Sequence, residues 1–247
     1  MELPLPRWIA HRGGGALAPE NTLAGIRLAA RLGYRAVEFD VMLAGDGTPV
    51  LIHDETLERT TSGHGRVCNH AFSDLAKLDA GGGETIPTFA DAARLCRELG
   101  LLANVEIKPA TGFDEATAEA VVRVALEVWQ GASLPPLISS FSLSALAVAR
   151  DLAPGLPRGV LFERVPADWR RELARLQAVA LHCDARWLTE AVAAEAGAAD
   201  IPVLCYTVNR PAQAAELRRR GVSAMFTDRL DLFSDETSAY KALHLPG

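Results

Sequence analysis

Short apolar runs alternate with amphipathic stretches along the chain. In the stretches between most of the runs, apolar residues recur at the spacing of one helix face. Thr88 and Asp91, three residues apart, predict the start of one such helix, and Gly100 predicts its end. We therefore expect an α/β protein in which strands alternate with helices. The apolar runs predicted as strands are residues 8–12, 36–43, 101–108, 136–140, 159–163, 178–182, 202–208 and 223–228.

The number of strands and the chain length together favour a closed barrel. Eight strands, nearly all separated by helices, within 247 residues are typical of a (β/α)₈ TIM barrel. An open, doubly wound sheet is the alternative, because periodicity does not distinguish a closed sheet from an open one. A composition of 49% hydrophobic and 23% charged residues suits a sizeable core. We predict a single domain over residues 1–247.

One segment departs from the strand–helix alternation. The turn-forming pair Asp46-Gly47 predicts that the chain folds back on the second strand as a hairpin. Residues 54 to about 87 then contain an excess of Thr, Ser, Gly and Asn. This composition predicts a small insertion after the second strand rather than a second domain.

Ionisable residues collect at the predicted carboxyl ends of the first three strands, where a TIM barrel has its active site. Glu38 and Asp40 are two residues apart and therefore share one face of a strand. Each residue alone has an ordinary structural explanation. Inward carboxylates on neighbouring strands, however, are costly to bury unless a cation lies between them, and oxygen ligands suit Mg²⁺ or Ca²⁺. The converging residues are His11, Arg12, Glu38, Asp40, Glu106 and Lys108, with His53 returned to the level of Asp40 by the hairpin.

Bulk charge and cysteine content restrict partners and compartment. A net charge of −6 offers no basic face for nucleic acid or for an anionic membrane. The four cysteines show no C-x-x-C spacing, which indicates free thiols in a reducing compartment. No apolar signal segment precedes His11, and no run approaches the roughly 18 apolar residues of a membrane span. We expect a soluble, cytoplasmic protein and leave open whether it forms a homo-oligomer.

The chain resembles the glycerophosphodiester phosphodiesterases over residues 8 to about 230. The motifs that carry the resemblance are "HRGGGALAPENT", "EFD", "LIHDETLERTT", "NVEIKP", "SSFS", "YTVN" and "FTD", in that order. The chain looks most similar to the cytoplasmic members that are associated with glycerol-phosphate uptake. The resemblance implies a barrel with a small insertion and metal-dependent hydrolysis of glycerophosphodiesters to glycerol 3-phosphate and an alcohol.

The resemblance also implies roles for individual residues. It places the ligands of one divalent cation at Glu38, Asp40 and Glu106, an acid–base pair at His11 and His53, and phosphate-binding residues at Arg12 and Lys108. The "PENT" loop would orient the metal ligands. The glycines after His11 would let the backbone approach the substrate at a helix N-terminus, where an anion is favoured. Phe141, near a strand end, is expected to pack on the glycerol or on the leaving group.

Three alternative functions stay open at this point. A Mg²⁺-dependent aldolase or lyase would use the carboxylates but would leave His53 without a clear role. A lipid-cleaving phospholipase is a closer relative, and the absence of a membrane-facing signal argues against it. A binding protein that has lost catalysis is disfavoured because both histidines are present. The choice between direct attack by water and a cyclic-phosphate intermediate also stays open.

Overall fold

The computed structural model describes residues 2–233 and 241–244; the other residues of the predicted 1–247 domain lie outside the described residues. In chain order the strands are β1 Glu2–Leu5, β2 Trp8–Ala10, β3 Ala36–Leu43, β4 Pro49–Leu51, β5 Leu102–Ile107, β6 Leu137–Ser140, β7 Arg158–Phe162, β8 Ala180–Asp184, β9 Val203–Tyr206, β10 Ala224–Thr227 and β11 Lys241–His244. The α-helices are α1 Leu23–Arg31, α2 Phe72–Leu75, α3 Phe89–Leu99, α4 Asp114–Val128, α5 Leu143–Leu152, α6 Trp169–Leu176, α7 Glu190–Ala198 and α8 Pro211–Arg219.

Eight parallel strands form a closed barrel. Strands β2, β3 and β5 to β10 each pair with the next, and β10 returns to β2, where Met225 lies opposite Trp8. Each of these strands comes from one of the eight predicted apolar runs. Helices α1 and α3 to α8 lie between consecutive barrel strands. The predicted (β/α)₈ TIM barrel is therefore confirmed, and the open-sheet alternative is wrong.

Helix α3 shows how the sequence sets the helix boundaries. The Thr88 hydroxyl accepts a hydrogen bond from the Asp91 backbone N–H at 3.1 Å, which satisfies one of the free donors at the helix start. Gly100 ends the helix with a φ of 66°, a left-handed conformation that glycine adopts without steric cost. Between these ends, Phe89 and Cys96 are buried against the barrel. Both predicted ends of this helix are confirmed.

The amino-terminal half of the barrel interior is filled by apolar side chains. Ile9, Leu102, Leu204 and Phe226 are among the members of this inner cluster, and all of them are buried. The inward-facing carboxylates Glu38, Asp40 and Glu106 lie further along their strands than Ala36 and Leu102 of this cluster. The inner packing thus places a cavity at one end of the barrel.

A buried arginine connects the loops at the opposite end of the barrel. Arg158 begins β7, and its side chain is fully buried. Within the described residues, its guanidinium donates to backbone carbonyls in the α5–β7 loop and at the end of α6, which would otherwise lack a hydrogen-bond donor. The accepting residues are Ala153, Pro154, Leu156, Leu176 and Gln177.

The predicted hairpin and insertion form a cap beside the mouth of the barrel. Strand β4 runs antiparallel to the end of β3, with Val41 opposite Leu51, which confirms the hairpin. The segment that follows, residues 54–87, contains α2 and is called the cap below. Its apolar side chains pack with those of the β3–β4 hairpin in a cluster separate from the barrel core, and Gly81 packs against Pro19 of the β2–α1 loop. The buried members of the cluster are Met42, Ala44, Val50, Ile52, Leu57, Val67, Leu75, Ala80, Ile86 and Ala110.

Strands β1 and β11 form a separate two-stranded antiparallel sheet outside the barrel. Across residues 2–233 and 241–244, no helix is both long enough and apolar enough to cross a lipid bilayer.

Candidate active site

A cavity of about 200 Å³ opens at the carboxyl ends of the barrel strands. One side of it is charged, and the other side is apolar. The predicted site residues, which come from distant parts of the chain, all lie on its wall. The lining residues are His11, Arg12, Glu38, Asp40, His53, Asn104, Glu106, Lys108, Phe141, Leu161, Tyr206, Thr207 and Phe226.

Three buried carboxylates form a cluster on the charged side. Glu38 and Asp40 lie on β3, and Glu106 lies on β5 directly opposite Asp40 in the strand register. Each residue offers one carboxylate oxygen, and these oxygens all lie within 4.8 Å of one another. Because the strand period points residues 38 and 40 into the barrel, the cluster follows from the alternation of the sheet.

The carboxylates of this cluster repel one another. Burial, together with the charges of Asp40 and Glu106, raises the pKa of Glu38 well above its ordinary value. Burial and the charge of Asp40 raise the pKa of Glu106 to about 7. Burial would also raise the pKa of Asp40, but the charges of neighbouring cationic groups, Lys108 foremost, lower it. One buried oxygen of Glu38, Oε1, has no hydrogen-bond partner within the described part of the chain.

These properties fit a divalent cation. A cation between the three carboxylates would supply the missing partner of Glu38 Oε1 and would offset the repulsion that raises two of the pKa values. The donors are oxygen atoms only, which hard cations such as Mg²⁺ and Ca²⁺ prefer. The residues present therefore have the ligand chemistry that such an ion requires.

Two cationic side chains lie next to the carboxylates. Lys108 Nζ is 3.4 Å from Asp40 Oδ1 and 3.2 Å from Glu106 Oε1. Arg12 Nε is 3.7 Å from Asp40 Oδ2, and the Arg12 backbone N–H donates to Glu38 Oε2 at 2.9 Å. This backbone contact is made by a residue in the left-handed region, with a φ of 49°. Both cations thus face the space above the carboxylate cluster.

Each of the two histidines is hydrogen-bonded to an aspartate. His11 Nδ1 lies 2.6 Å from Asp228 Oδ1, and His53 Nδ1 lies 2.5 Å from Asp54 Oδ1. An ionised aspartate only accepts, so the proton resides on Nδ1 of each ring. Nε2 is then the nitrogen left to exchange a proton with a bound molecule.

Further hydrogen bonds hold the groups that contact the histidines and the carboxylates. Asn209 Nδ2 donates to Asp228 Oδ2, and the Asp228 backbone N–H donates to Asn209 Oδ1, both at 2.8 Å. Asn21 of the "PENT" loop makes a similar pair with Asp40: its Nδ2 donates to Asp40 Oδ2, and its Oδ1 accepts from the Asp40 backbone N–H. In the cap, Arg59 donates to both Asp54 and Glu20.

Several of these hydrogen-bonding residues were not predicted from the sequence. Asp54 directly follows His53, so its place in the chain was a usable signal. Asn209 and Asp228 lie just after β9 and β10, at the carboxyl ends where polar side chains meet in a TIM barrel. Arg59 lies in the cap, and nothing in its sequence position indicates which carboxylates it contacts.

The other side of the cavity is aromatic and apolar. Phe141 is 44% exposed, and its ring meets that of Tyr206 edge-on with centroids 5.9 Å apart. Lys108 Nζ lies 6.0 Å from the Phe141 ring centroid, so this ring borders the charged side. The Tyr206 hydroxyl donates to the Phe162 carbonyl. Contact between Phe141 and a substrate stays a prediction.

His182 lies beneath the cavity rather than on its wall. The ring is fully buried next to Phe226, and neither nitrogen has a hydrogen-bond partner among residues 2–233. Burial lowers the pKa of His182 to about 3, so the ring is neutral at physiological pH. The structure therefore does not place it in contact with a molecule bound in the cavity.

The glycines after His11 do not have the predicted role. They are absent from the described cavity wall, and their N–H groups donate to backbone carbonyls, as Gly13 does to Glu38 at 2.8 Å. A Cβ on Gly15 would collide with the Asp228 carbonyl oxygen, so the loop needs glycine for close packing. At the start of α1, Thr22 and Glu84 accept from the backbone N–H groups of residues 25 and 24. The backbone N–H groups at that helix end therefore donate to side-chain oxygens of the protein, where a substrate anion was expected.

Comparison with known proteins relates the whole barrel to one group of enzymes. The model of the glycerophosphoryl diester phosphodiesterase family matches residues 11–232. A glycerophosphodiester phosphodiesterase of Caldanaerobacter subterraneus subsp. tengcongensis is 32% identical over 89% of this chain and 93% of its own length. A phosphodiesterase of Oleispira antarctica, solved in complex with the product sn-glycerol-3-phosphate, is 39% identical over 91% of this chain and 93% of that chain, with a TM-score of 0.88. A glycerophosphodiester phosphodiesterase of Thermotoga maritima is 26% identical over 92% of this chain and 96% of that chain, with a TM-score of 0.74.

Proposed function

The chain belongs to the glycerophosphoryl diester phosphodiesterase family, and on that basis we propose that it hydrolyses glycerophosphodiesters to glycerol 3-phosphate and an alcohol. The observation that carries the proposal is one cavity lined by three carboxylates, two cationic side chains and two histidines that each contact an aspartate. The similar Oleispira antarctica enzyme, which holds sn-glycerol-3-phosphate as its product, supports the same product here.

The proposed metal ligands are Glu38, Asp40 and Glu106, and we propose that they hold one divalent cation, Mg²⁺ or Ca²⁺. Such a cation, when bound, acts as a Lewis acid that draws electron density from a phosphoryl oxygen. Titration of Mg²⁺ and Ca²⁺ into chelator-treated protein by calorimetry tests the site without any turnover. Saturable binding that Glu106→Gln weakens is expected, and an absence of binding would contradict the assignment.

Charge balance explains why a phosphodiester suits this cavity. Three carboxylates and a divalent cation sum to −1, and Arg12 with Lys108 brings the total to +1. A phosphodiester carries one negative charge, so its binding neutralises the site. Arg12 and Lys108 would bind the non-bridging oxygens and would stabilise the negative charge that grows on them in the transition state.

The proposed acid–base pair is His11 and His53. One ring would accept a proton from the nucleophile at Nε2, and the other would donate a proton from Nε2 to the leaving alkoxide. Asp228 and Asp54 support these roles, because each accepts the Nδ1 hydrogen bond of its histidine and so fixes the orientation of the ring. The same pair serves attack by water and attack by the neighbouring glycerol hydroxyl, since either nucleophile must lose one proton.

The direct test is release of glycerol 3-phosphate from soluble, deacylated diesters. Glycerophosphocholine and glycerophosphoethanolamine should both be cleaved, because the proposed roles all concern the phosphate and its immediate oxygens. The product is measured with glycerol-3-phosphate dehydrogenase, and chelator should abolish its formation. Formation of a phosphomonoester of the other alcohol, or unchanged rates in chelator, would contradict the proposed reaction.

A further inference from the structure

Arg59, in the cap, makes an unusually complete set of contacts with two carboxylates. Its Nε and Nη2 atoms donate to Asp54 at 2.5 and 3.0 Å. Its Nη1 and Nη2 atoms donate to Glu20 at 2.8 and 2.9 Å. Both edges of the planar guanidinium are thus used as two-pronged donors, a geometry that a lysine cannot reproduce.

Each of these carboxylates is also bonded to a residue on the cavity wall. Asp54 contacts His53 Nδ1, and Glu20 Oε1 accepts from Arg12 Nη1 at 3.0 Å. A continuous line of hydrogen bonds therefore runs from His53 through Arg59 to Arg12. It joins the cap to the β2–α1 loop and ends at one proposed proton-transferring residue and one proposed phosphate-binding residue.

The charges along this line keep both carboxylates ionised. The hydrogen bonds from Arg59 lower the pKa of Asp54 far below its ordinary value. Burial opposes ionisation of Glu20, but the bonds from Arg59 and the charge of Arg12 lower its pKa. Among the described residues, removal of Arg59 would leave His53 as the hydrogen-bond partner of Asp54 and Arg12 as that of Glu20.

We propose that Arg59 is a positioning residue for the hydrolysis: through Asp54 it orients His53, and through Glu20 it orients Arg12. This inference rests on the proposed function. The Arg59 side chain is 46% exposed, and exposed ion pairs contribute little to stability. Loss of the side chain should therefore affect geometry in the cavity more than folding.

The cap contains a matched control residue. The Arg66 side chain is 45% exposed and forms an ion pair with Glu55 at 2.7 Å, but neither residue lines the cavity. Arg59→Met and Arg66→Met thus remove the same groups from the same segment at the same exposure. Only the first substitution breaks the line to His53 and Arg12.

The main experiment compares steady-state kinetics on glycerophosphocholine. Arg59→Met should lower kcat/KM by about 10- to 100-fold, the usual cost of losing a residue that orients a functional group, while Arg66→Met should match the wild type. Asp54→Asn should act mainly on kcat and Glu20→Gln mainly on KM, whereas Arg59→Met should change both. Arg59→Lys keeps the charge but not the two-pronged geometry and should give an intermediate loss.

A second readout does not require turnover. Glycerol 3-phosphate, titrated by calorimetry, should bind Arg59→Met at least about tenfold more weakly than Arg66→Met if Arg12 has lost its orientation. Equal thermal unfolding temperatures of the two variants would exclude a merely structural loss. If Arg59→Met does not fold, the Arg59→Lys and Arg66→Lys pair replaces it in both measurements.

The outcomes separate this inference from the proposed function. If the wild type releases glycerol 3-phosphate and the Arg59 and Arg66 variants have equal kinetic constants and equal product affinity, the inference is overturned. If the wild type shows no diesterase activity but glycerol 3-phosphate affinity still depends on Arg59, the proposed reaction fails and the positioning of Arg12 is supported.

Discussion

Replacement of Glu106 by glutamine should stabilise the metal-free protein at alkaline pH. Glu106 is buried beside Asp40, and this environment raises its pKa from 4.5 to about 7. An ionised Glu106 is therefore unfavourable in the folded state when no cation is bound. Glutamine has nearly the same shape and carries no charge, so the substitution removes the repulsion and leaves the packing in place.

The size of the effect follows from the pKa. Below about pH 4.5 the group is protonated in the folded and unfolded states and does not affect stability. Between pH 4.5 and 7 the folded state holds the proton more tightly, so the free energy of unfolding falls as the pH rises. Since each pKa unit is worth about 1.4 kcal/mol, the shift to about 7 costs the wild type about 3 kcal/mol above pH 7.

The assay is urea unfolding of chelator-treated protein between pH 4.5 and 8. The quantity of interest is the difference in unfolding free energy between Glu106→Gln and the wild type, in which groups that do not interact with Glu106 cancel. The charge of Glu106 also raises the pKa of Glu38, so Glu38 changes this difference in the same direction. It should rise by about 3 kcal/mol in favour of the variant from pH 4.5 to 8. Lys108 loses a carboxylate partner in the variant but stays protonated between pH 4.5 and 8. Its contribution therefore shifts the difference in unfolding free energy by a constant and does not change its slope with pH. Glu98→Gln, an exposed change on α3, serves as the control and should run parallel to the wild type.

Addition of Mg²⁺ or Ca²⁺ should reverse the order at pH 8. A cation bound by Glu38, Asp40 and Glu106 stabilises the wild type more than the variant, because the variant has lost one negative ligand. Parallel pH curves of Glu106→Gln and the wild type in chelator would refute the predicted repulsion at Glu106. Equal cation affinities of the two proteins in calorimetry would refute the predicted role of Glu106 as a ligand.

Three further results are expected. His11→Ala and His53→Ala should each lower kcat by about 10²- to 10⁴-fold with unchanged circular dichroism. The kcat of the double variant should fall by less than the product of the two single losses, because both histidines act in one reaction. Near-normal turnover of either single variant would indicate that its histidine has a structural role only. Arg158→Met should lower the unfolding free energy by at least about 3 kcal/mol in urea titrations, because several buried backbone carbonyls lose their hydrogen-bond donor. A change below about 1 kcal/mol would mean that water replaces the guanidinium as the donor. Bis(p-nitrophenyl) phosphate, which lacks glycerol, should be a poor substrate beside glycerophosphocholine in parallel kinetic assays, and comparable kcat/KM values would show that glycerol is not recognised.

Much of the fold and part of the site could be predicted because they depend on local periodicity. The apolar runs mark the barrel strands since a strand buried on both faces needs continuous apolar residues. The two-residue period puts Glu38 and Asp40 on one face, and it does the same for Glu106 and Lys108. Asp46-Gly47 likewise predicts the hairpin that returns His53 to the site. In each case the information lies within a few consecutive residues.

Contacts between distant segments were decided only by the tertiary structure. Barrel closure sets β10 beside β2, and it alone brings Asp228 to His11 across 217 residues of sequence. The packing of the cap on the β2–α1 loop decides that Arg59 meets Glu20. Barrel closure also seats Gly15 against the Asp228 backbone, so the glycine-rich loop packs on the barrel instead of contacting the substrate. Periodicity determines which face of an element a residue occupies, but only sheet closure and packing determine which residue it faces.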